Sequence, residues 1–201
     1  MEEKKDFILS QSLSIFQEYG IKSISMDDLS SSMRISKKTL YKYFKNKEDL
    51  IHQLFFNYIT EKFASFQTQI NSEPINAIDY LIKVHSFLFS QKHIFTTAIN
   101  YDLQTTYPHL YTKLHQQIQK HSHILLQKNI TLGQQQHLYK KNIDTSIIIY
   151  IFTHLSLLIE NNSDNEISSH DLFNEILRMF IYSVANEAGI VYYKNISSHT
   201  S

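Results

Sequence analysis

Apolar residues recur at three- and four-residue intervals along almost the whole chain, which is typical of amphipathic α-helices. Residues that break helices are scarce, since the 201 residues include only three glycines and two prolines. The spacing predicts helices over residues 4–19, 25–33, 36–44, 46–70, 75–90, 108–131, 143–161 and 168–188, with a less regular segment over 92–104. The predicted fold class is therefore all-α, with about nine helices.

Local signals mark where several of these helices begin and end. Ser25 and Asp28 have the spacing of a capping box, in which each side chain bonds the other's backbone N–H. Ser36 can cap the next short helix in the same way. Gly20 is expected to end the first helix, and Gly133, beside a run of glutamines, is expected to mark a turn.

The segment 147–152 is apolar at every position, so a helix there is expected to be buried on all sides. Its β-branched residues also suit a strand. A single strand would have no partner in an all-helical chain, and a helix is therefore the preferred interpretation.

Charge is neutral in sum but unevenly spread. Residues 1–47 contain nine Lys/Arg and six Asp/Glu, and the segment 34–47 contains six bases and no acid. Such a patch suits a surface that contacts phosphates. A solvated helix face, with its acids elsewhere, is the alternative interpretation.

The pair of short helices around this patch has the form of a helix-turn-helix, the motif that places its second helix in the major groove of DNA. One side of the motif is apolar and predicts a small core, formed by Phe16, Ile24, Leu29, Met33, Ile35, Leu40, Phe44 and Leu54. The polar side would then face a duplex. Lysine suits guanine edges and phosphates, and hydroxyls suit phosphate oxygens.

The residues Ser-Met-Asp-Asp-Leu at 25–29 and Ile-Ser-Lys-Lys-Thr-Leu-Tyr-Lys-Tyr-Phe-Lys-Asn-Lys-Glu-Asp-Leu at 35–50 resemble the DNA-binding domain of TetR/AcrR transcriptional regulators. The resemblance is dense over about residues 7–55. It implies a helix-turn-helix domain over 1–48, a connecting helix over 47–70, a helical ligand-binding and dimerisation domain over 49–190, and a flexible tail over 191–201.

The resemblance also implies roles for individual residues. Lys37 and Lys38 stand where the family reads base edges, and Lys47 stands where it clamps a phosphate. Thr39 and Tyr43 align with phosphate contacts, although either could pack inward instead. The implied DNA-binding residues are Ser25, Ser36, Lys37, Lys38, Thr39, Tyr41, Lys42, Tyr43 and Lys47.

Two positions depart from the family pattern, which commonly has glycine at both. Arg34 lies in the turn, where a left-handed backbone would cost an arginine about 1 kcal/mol. Lys38 brings a long cation to a place where relatives present bare backbone. This difference is expected to change the DNA sequence that is read.

A small, mostly apolar ligand is a further implication of the resemblance. Aromatic walls with a few polar tips would suit it, and the candidate pocket residues are His85, Phe89, Tyr101, Tyr111, His115, Tyr150 and His154. The alternative is that His85 and His154 are core histidines satisfied by a nearby hydroxyl or carbonyl.

A homodimer is expected because a two-fold dimer matches a palindromic operator. The helices over 143–161 and 168–188 carry more apolar surface than one side of a monomer core would cover. Candidate interface residues are Ile148, Ile151, Leu155, Phe173, Leu177, Phe180 and Val184.

Several other classes of protein are disfavoured. There is no cysteine, and the glycines are too dispersed for a phosphate-binding loop. The 11 histidines show no metal-ligand spacing on one helix face, and no local nucleophile–base arrangement stands out. Neither a signal peptide nor a membrane span is indicated. A cytoplasmic, non-enzymatic protein without a metal or other cofactor is expected.

The leading hypothesis is a dimeric repressor that binds a palindromic DNA operator through residues 25–47 and releases it when a small ligand binds. A DNA-binding adaptor or structural protein without a ligand remains open. An enzyme that uses buried histidines is a third possibility, although no substrate is indicated.

Overall fold

The computed structural model describes residues 2–72, 74–91, 94–160 and 168–197. These residues form the ten helices α1 Glu2–Tyr19, α2 Met26–Ser32, α3 Lys37–Tyr43, α4 Lys47–Ile70, α5 Ala77–Ser90, α6 Thr97–Thr106, α7 Pro108–Gln135, α8 Thr145–Glu160, α9 Ser169–Val184 and α10 Glu187–Ser197. The described ranges contain no strand, only an isolated bridge between Tyr139 and Ala185. The all-α prediction is confirmed.

The chain packs as two compact units. The first comprises Met1–Ala64 and Gln91–Ile118, and the second comprises Ser65–Ser90 and Gln119–Ser201. Helix α6 and the first part of α7 therefore pack with the N-terminal helices. The sequence pattern did not indicate this grouping.

The first unit has an apolar core in which side chains of α1 to α4 meet. Phe16, Leu29, Leu40, Phe44 and Leu50 are fully buried there. Helix α1 ends as expected at Gly20, which takes a left-handed backbone (φ 78°) and donates its N–H to the carbonyl of Phe16. Glycine adopts this conformation without steric cost.

The second unit is built around α5, α8 and α9. Its buried apolar side chains include those of Leu81, Val84, Ile149, Phe152 and Ile181. The run at 147–152 is helical as preferred, but burial on all sides was wrong, since Ile147 and Ile151 are 56% and 50% exposed.

Three helix boundaries differ from the sequence-based expectation. The segment 92–104 contains α6, which Thr96 caps by accepting a hydrogen bond from the Ile99 N–H. Gly133 lies inside α7 and not in a turn. The ring of Tyr139 occupies the space beside it, since a Cβ at Gly133 would come within 2.2 Å of the ring.

The third difference concerns the C-terminal end. Helix α9 ends at Val184, before the expected 188, because Ala185 bridges to Tyr139 and Lys140 donates its backbone N–H to the Val184 carbonyl. A new helix, α10, then covers 187–197, so residues 191–197 of the expected tail are helical. Residues 198–201 lie outside the described residues.

Candidate nucleic-acid interface

The turn between α2 and α3 is defined by caps on both sides. Ser25 and Asp28 form the expected capping box at the start of α2, and Ser36 caps α3 by accepting from the N–H of Thr39 at 3.0 Å. The capping bonds of Ser25 hold the pKa of the Asp28 carboxyl below its usual range. Between the helices, Arg34 adopts a left-handed backbone with φ 53°. This is the strained conformation anticipated for a position where relatives have glycine.

Burial on one side of α3 orients the other side outward. Leu40 and the C-cap Phe44 are fully buried against α2, whose Leu29 is buried as well. Lys38, Tyr41 and Lys42 are exposed, and Tyr41 retains 49% of its accessible surface. We refer to these three side chains as the exposed face of α3. This face offers two cations and a phenol to a duplex.

Two of the predicted contact residues are partly withdrawn from solvent. Thr39 is half-buried, with its Oγ1 2.8 Å from Oγ of the exposed Ser36. Tyr43 is half-buried and tilted against the ring of Phe44. The Nζ of Lys42 lies 5.9 Å from the Tyr43 ring centroid. Both Thr39 and Tyr43 therefore have packing roles in the motif itself.

Lys37 is exposed, but its ammonium already has a partner. Its Nζ lies 2.7 Å from the Oδ2 of Asp27 in α2. The hydrogen bond and the negative charge of Asp27 raise the pKa of Lys37. The ion pair spans the two helices of the motif and reduces the charge that Lys37 presents to DNA.

Lys47 is placed differently from an open phosphate clamp. It is half-buried at the start of α4, and its Nζ donates a hydrogen bond to the Ile21 carbonyl. Burial lowers the pKa of this ammonium, while the carboxylates of Asp102 and Asp28 act in the opposite direction. The side chain is thus engaged inside the protein, which the sequence comparison did not indicate.

The seven predicted pocket residues lie in different surroundings within the two units. Tyr101 and Tyr150 are 64% and 63% exposed, and His154 is exposed as well, so these side chains are not covered by the rest of the described chain. Tyr150 and His154 share an outward stripe of α8, while Ile149 and Phe152 face the core.

The remaining four pocket residues fall in two places. Tyr111 and His115 lie in the first unit with ring centroids 4.1 Å apart, and burial lowers the pKa of His115. His85 and Phe89 lie in the second unit, where His85 stacks on the ring of Phe173 and Phe89 packs against the same ring at a tilt. Burial lowers the pKa of His85 to about 3, which keeps the imidazole neutral, and its Nε2 has no hydrogen-bond partner among the described residues.

Four of the seven predicted interface residues are already covered within the chain. Phe173, Leu177, Phe180 and Val184 are at most 9% exposed, so they have little surface left for a second subunit. Ile148 and Leu155 are half-buried, and only Ile151 is largely exposed. The pattern identified the apolar face of α9 but could not tell that this face packs inward. Among the side chains that the structure describes in α8 and α9, the exposed large apolar residues are Ile147, Tyr150, Ile151, Met179 and Tyr182.

Two further geometric searches bear on function. Among the described residues, no group of three His, Cys, Asp or Glu side chains could hold a metal ion. Across the same ranges, no helix combines the length and the apolar character needed to cross a membrane.

Comparison with known proteins identifies the N-terminal motif. Residues 8–54 match the sequence model of the family described as bacterial regulatory proteins, tetR family. The chain is 33% identical over 113 residues to the biofilm operon icaADBC HTH-type negative transcriptional regulator IcaR of Staphylococcus epidermidis. That alignment covers 55% of this chain and 52% of IcaR, so the chain spans about half the length of this relative.

Solved structures extend the likeness to the whole fold. A transcriptional regulator from Cytophaga hutchinsonii superposes with a TM-score of 0.76 at 18% identity, covering 91% of this chain and 99% of that one. A protein from Saccharomonospora viridis in complex with choline gives a TM-score of 0.69 at 12% identity, covering 93% and 100%. At these identities the likeness concerns the fold alone. The N-terminal helix-turn-helix therefore matches the tetR family model over residues 8–54, and the described fold is that of solved transcriptional regulators.

Proposed function

We propose that this chain is a DNA-binding transcriptional regulator that reads its operator with α3. The observation that carries the proposal is the exposed face of α3. Lys38, Tyr41 and Lys42 project from a short helix whose other side is anchored by the buried Leu40 and Phe44. A rigid helix with outward cations is the arrangement that helix-turn-helix proteins place in the major groove.

The positions of these side chains suggest different DNA contacts for each of them. Lys38, one residue into α3, is the candidate for a bidentate contact with guanine O6 and N7. Lys42 and the hydroxyls of Tyr41, Ser25 and Ser36 are the candidates for phosphate contacts, which position the protein without reading sequence. Lys37 joins them only when it leaves Asp27.

The proposed regulator is a repressor. IcaR, which shares 33% identity over 113 residues, is named as a negative transcriptional regulator. A repressor acts by occupying its operator and excluding other proteins from it. The exposed face of α3 offers the cations and the hydroxyl that binding to an operator requires.

A homodimer is part of the proposal, and a palindromic operator follows from its two-fold symmetry. Ile147, Tyr150 and Ile151 form an exposed apolar stripe on α8, and Met179 and Tyr182 form another on α9. Apolar stripes of this kind, on helices that pack against each other, suit a four-helix interface with a second copy.

Ligand control is the finer part of the proposal. A small, mostly apolar molecule would bind in the second unit near His85 and Phe89, and its binding would favour a state that releases DNA. This part of the proposal is supported by the S. viridis protein of similar fold, whose structure is in complex with choline. The stack of His85 on Phe173, with ring centroids 3.3 Å apart, favours the alternative of a ligand-independent DNA-binding protein, because it fills that region with side chains.

A salt-titrated binding measurement on the full chain tests the proposed function. The probe is a fluorescent duplex from immediately upstream of the protein's own gene, with a scrambled duplex as competitor. We expect tight binding that survives the competitor and shows a protected palindrome. Lys38→Ala is expected to lose discrimination at one base pair by about 1–3 kcal/mol, whereas Lys42→Ala weakens all sequences and lowers the salt slope by about one.

The matched control is Lys83→Ala, which removes an exposed lysine of α5 in the second unit. It should leave both the affinity and the salt slope unchanged. Equal losses from all three substitutions, or weak binding that the scrambled duplex abolishes, would contradict the assignment of α3 as the reading helix. A thermal-shift screen of small apolar compounds separates the ligand-responsive protein from the ligand-independent one.

A further inference from the structure

Residues 20–25 connect α1 to α2, and the first part of this turn is held by charged side chains from two other helices. The backbone N–H of Lys22 donates to the Oδ2 of Asp102 in α6, at 2.8 Å. The neighbouring carbonyl, that of Ile21, accepts a hydrogen bond from Lys47 at the start of α4. Helices α4 and α6 are therefore both bonded to the turn that leads into the helix-turn-helix.

The two charged groups also act on each other. Lys47 is half-buried, and its ammonium feels the negative charges of Asp102 and Asp28, which oppose the lowering of its pKa by burial. Asp28 is the capping residue of α2. One lysine is thus linked to the turn, to the cap of α2 and to α6. Hydrogen bonds in which the donor or the acceptor is ionised are stronger than neutral ones, so both bonds to this turn are of the stronger kind.

Gly20 provides the space for this arrangement. It has φ 78°, and a Cβ built on it would lie 2.9 Å from the Oδ2 of Asp102. A residue with a side chain would therefore be strained by its backbone angle and would also press on the carboxylate. The glycine that ends α1 is the same residue that lets Asp102 approach the turn.

We propose that Asp102 is a positioning residue for DNA recognition, which holds α6 to the α1–α2 turn through its hydrogen bond with the Lys22 N–H. This inference rests on the proposed function. By bonding adjacent residues of the turn, Asp102 and Lys47 hold α2 and α3 in one orientation. A reader that is ordered before binding avoids the cost of ordering on the DNA.

The proposal changes the role of Lys47. A lysine that clamps a phosphate would contribute one released counterion, and its loss would lower the salt slope by about one. A lysine that holds the turn changes the affinity at every salt concentration but leaves the slope unchanged. Helix α6 accordingly belongs to the DNA-reading part of the protein.

Three variants of the full chain test this role. Asp102→Ala removes the acceptor and the charge, Asp102→Asn keeps an oxygen acceptor without the charge, and Asp6→Asn is the control for losing one exposed carboxylate of α1. Three measurements are made on each variant: exchange of the Lys22 amide proton by NMR, the pKa of Lys47 by NMR, and DNA affinity against salt.

We expect Asp102→Ala to speed exchange of the Lys22 amide by about tenfold or more, and to weaken DNA binding by about tenfold with an unchanged salt slope. Asp102→Asn should recover most of the exchange protection. In both variants the pKa of Lys47 should fall further, because its counter-charge is gone. Asp6→Asn should match the wild-type chain in exchange and in the pKa of Lys47. If Asp6→Asn binds DNA more tightly than the wild-type chain, the difference measures the effect of removing one negative charge from the surface.

Several results would overturn the role of Asp102. One such result is that the wild-type chain binds its operator and Asp102→Ala binds it with the same affinity. Another is that Asp102→Ala gains affinity to the same extent as Asp6→Asn, which would mean that only the loss of a negative charge matters. Another is a pKa of Lys47 that does not respond to either substitution at position 102. If the wild-type chain shows no sequence-preferring binding, the proposed function itself fails, and the positioning role fails with it. The two failures are therefore distinguishable.

Discussion

Asp27 in α2 and Lys37 in α3 form an ion pair 2.7 Å long across the two helices of the helix-turn-helix. Both side chains are more than half exposed, so the pair is freely hydrated and open to exchange with other anions. A DNA phosphate would compete with Asp27 for the same ammonium. Asp27 is therefore expected to compete with a DNA phosphate for the ammonium of Lys37.

Removing that competitor is expected to strengthen DNA binding. Asp27→Asn frees Lys37 for phosphate, and we expect a gain in affinity of about two- to fivefold at low salt with a salt slope that is steeper by up to about one. Fluorescence anisotropy across a salt series measures both quantities. The double variant Asp27→Asn with Lys37→Ala should lose the gain. If the double variant keeps it, the effect comes from the general charge and not from Lys37.

The left-handed backbone of Arg34 leads to a prediction about the free energy of unfolding. Because φ is 53° there, glycine should relieve steric strain, and Arg34→Gly is expected to raise the free energy of unfolding by about 0.5–1 kcal/mol. Arg34→Ala is the matched control, since it removes the same guanidinium but keeps a Cβ. Chemical denaturation compares the two variants. Equal stabilities for Gly and Ala would contradict a strained turn.

His85 predicts a dependence of stability on pH. Its pKa is lowered by burial to about 3 in the folded chain, whereas the unfolded chain binds a proton near 6.5. The unfolded state therefore binds more protons below 6.5, so stability is full above that pH and falls as the pH drops towards 3. By linkage, His85 should cost about 2 kcal/mol between pH 7.5 and pH 5.

Substitution isolates this contribution from that of the other histidines. His85→Phe keeps an aromatic ring against Phe173 and removes the titrating group and its unpartnered Nε2. The loss of stability between the two pH values should then be smaller by about 2 kcal/mol. The same loss in the variant and in the wild-type chain would show that His85 does not carry the effect.

The exposed stripe of α8 predicts the oligomeric state. The wild-type chain should be a dimer of about 47 kDa, twice the chain mass of 23.7 kDa, at micromolar concentration. Ile151→Glu places a charge on the stripe and should give monomers, because a buried unpaired carboxylate is costly. Light scattering measures the mass. Ile124→Glu on α7 is matched in exposure, 46% against 50%, and should remain dimeric. Monomeric wild-type protein would refute the dimer.

The helix caps are features that could be predicted from the sequence. Ser25 with Asp28 and Ser36 with Thr39 act within three residues of one another, so their geometry follows from local chain stereochemistry and was predicted correctly. The same holds for the stop at Gly20. The TetR/AcrR identity of residues 8–54 was likewise accessible, because the motif is one continuous stretch.

The contacts that assign roles within the interface could not be predicted in this way. Lys37 meets Asp27 ten residues away, and the N–H of Lys22 meets Asp102 eighty residues away. Local pattern contains no signal for such pairs. The contact between Asp102 and the turn after Gly20 could be recognised only once α6 was known to pack on α1.

The sequence by itself therefore determined most of the helices, the caps at Ser25 and Ser36, and the helix-turn-helix with its match to the tetR family model. Each depends on residues within one or two helical turns, or on a continuous motif. Tertiary structure decided which apolar stripe of α8 and α9 faces the core, that α6 packs with the N-terminal helices, and that Lys47 bonds the turn. The physical reason is that helical periodicity specifies which residues share a face but not which element packs against that face.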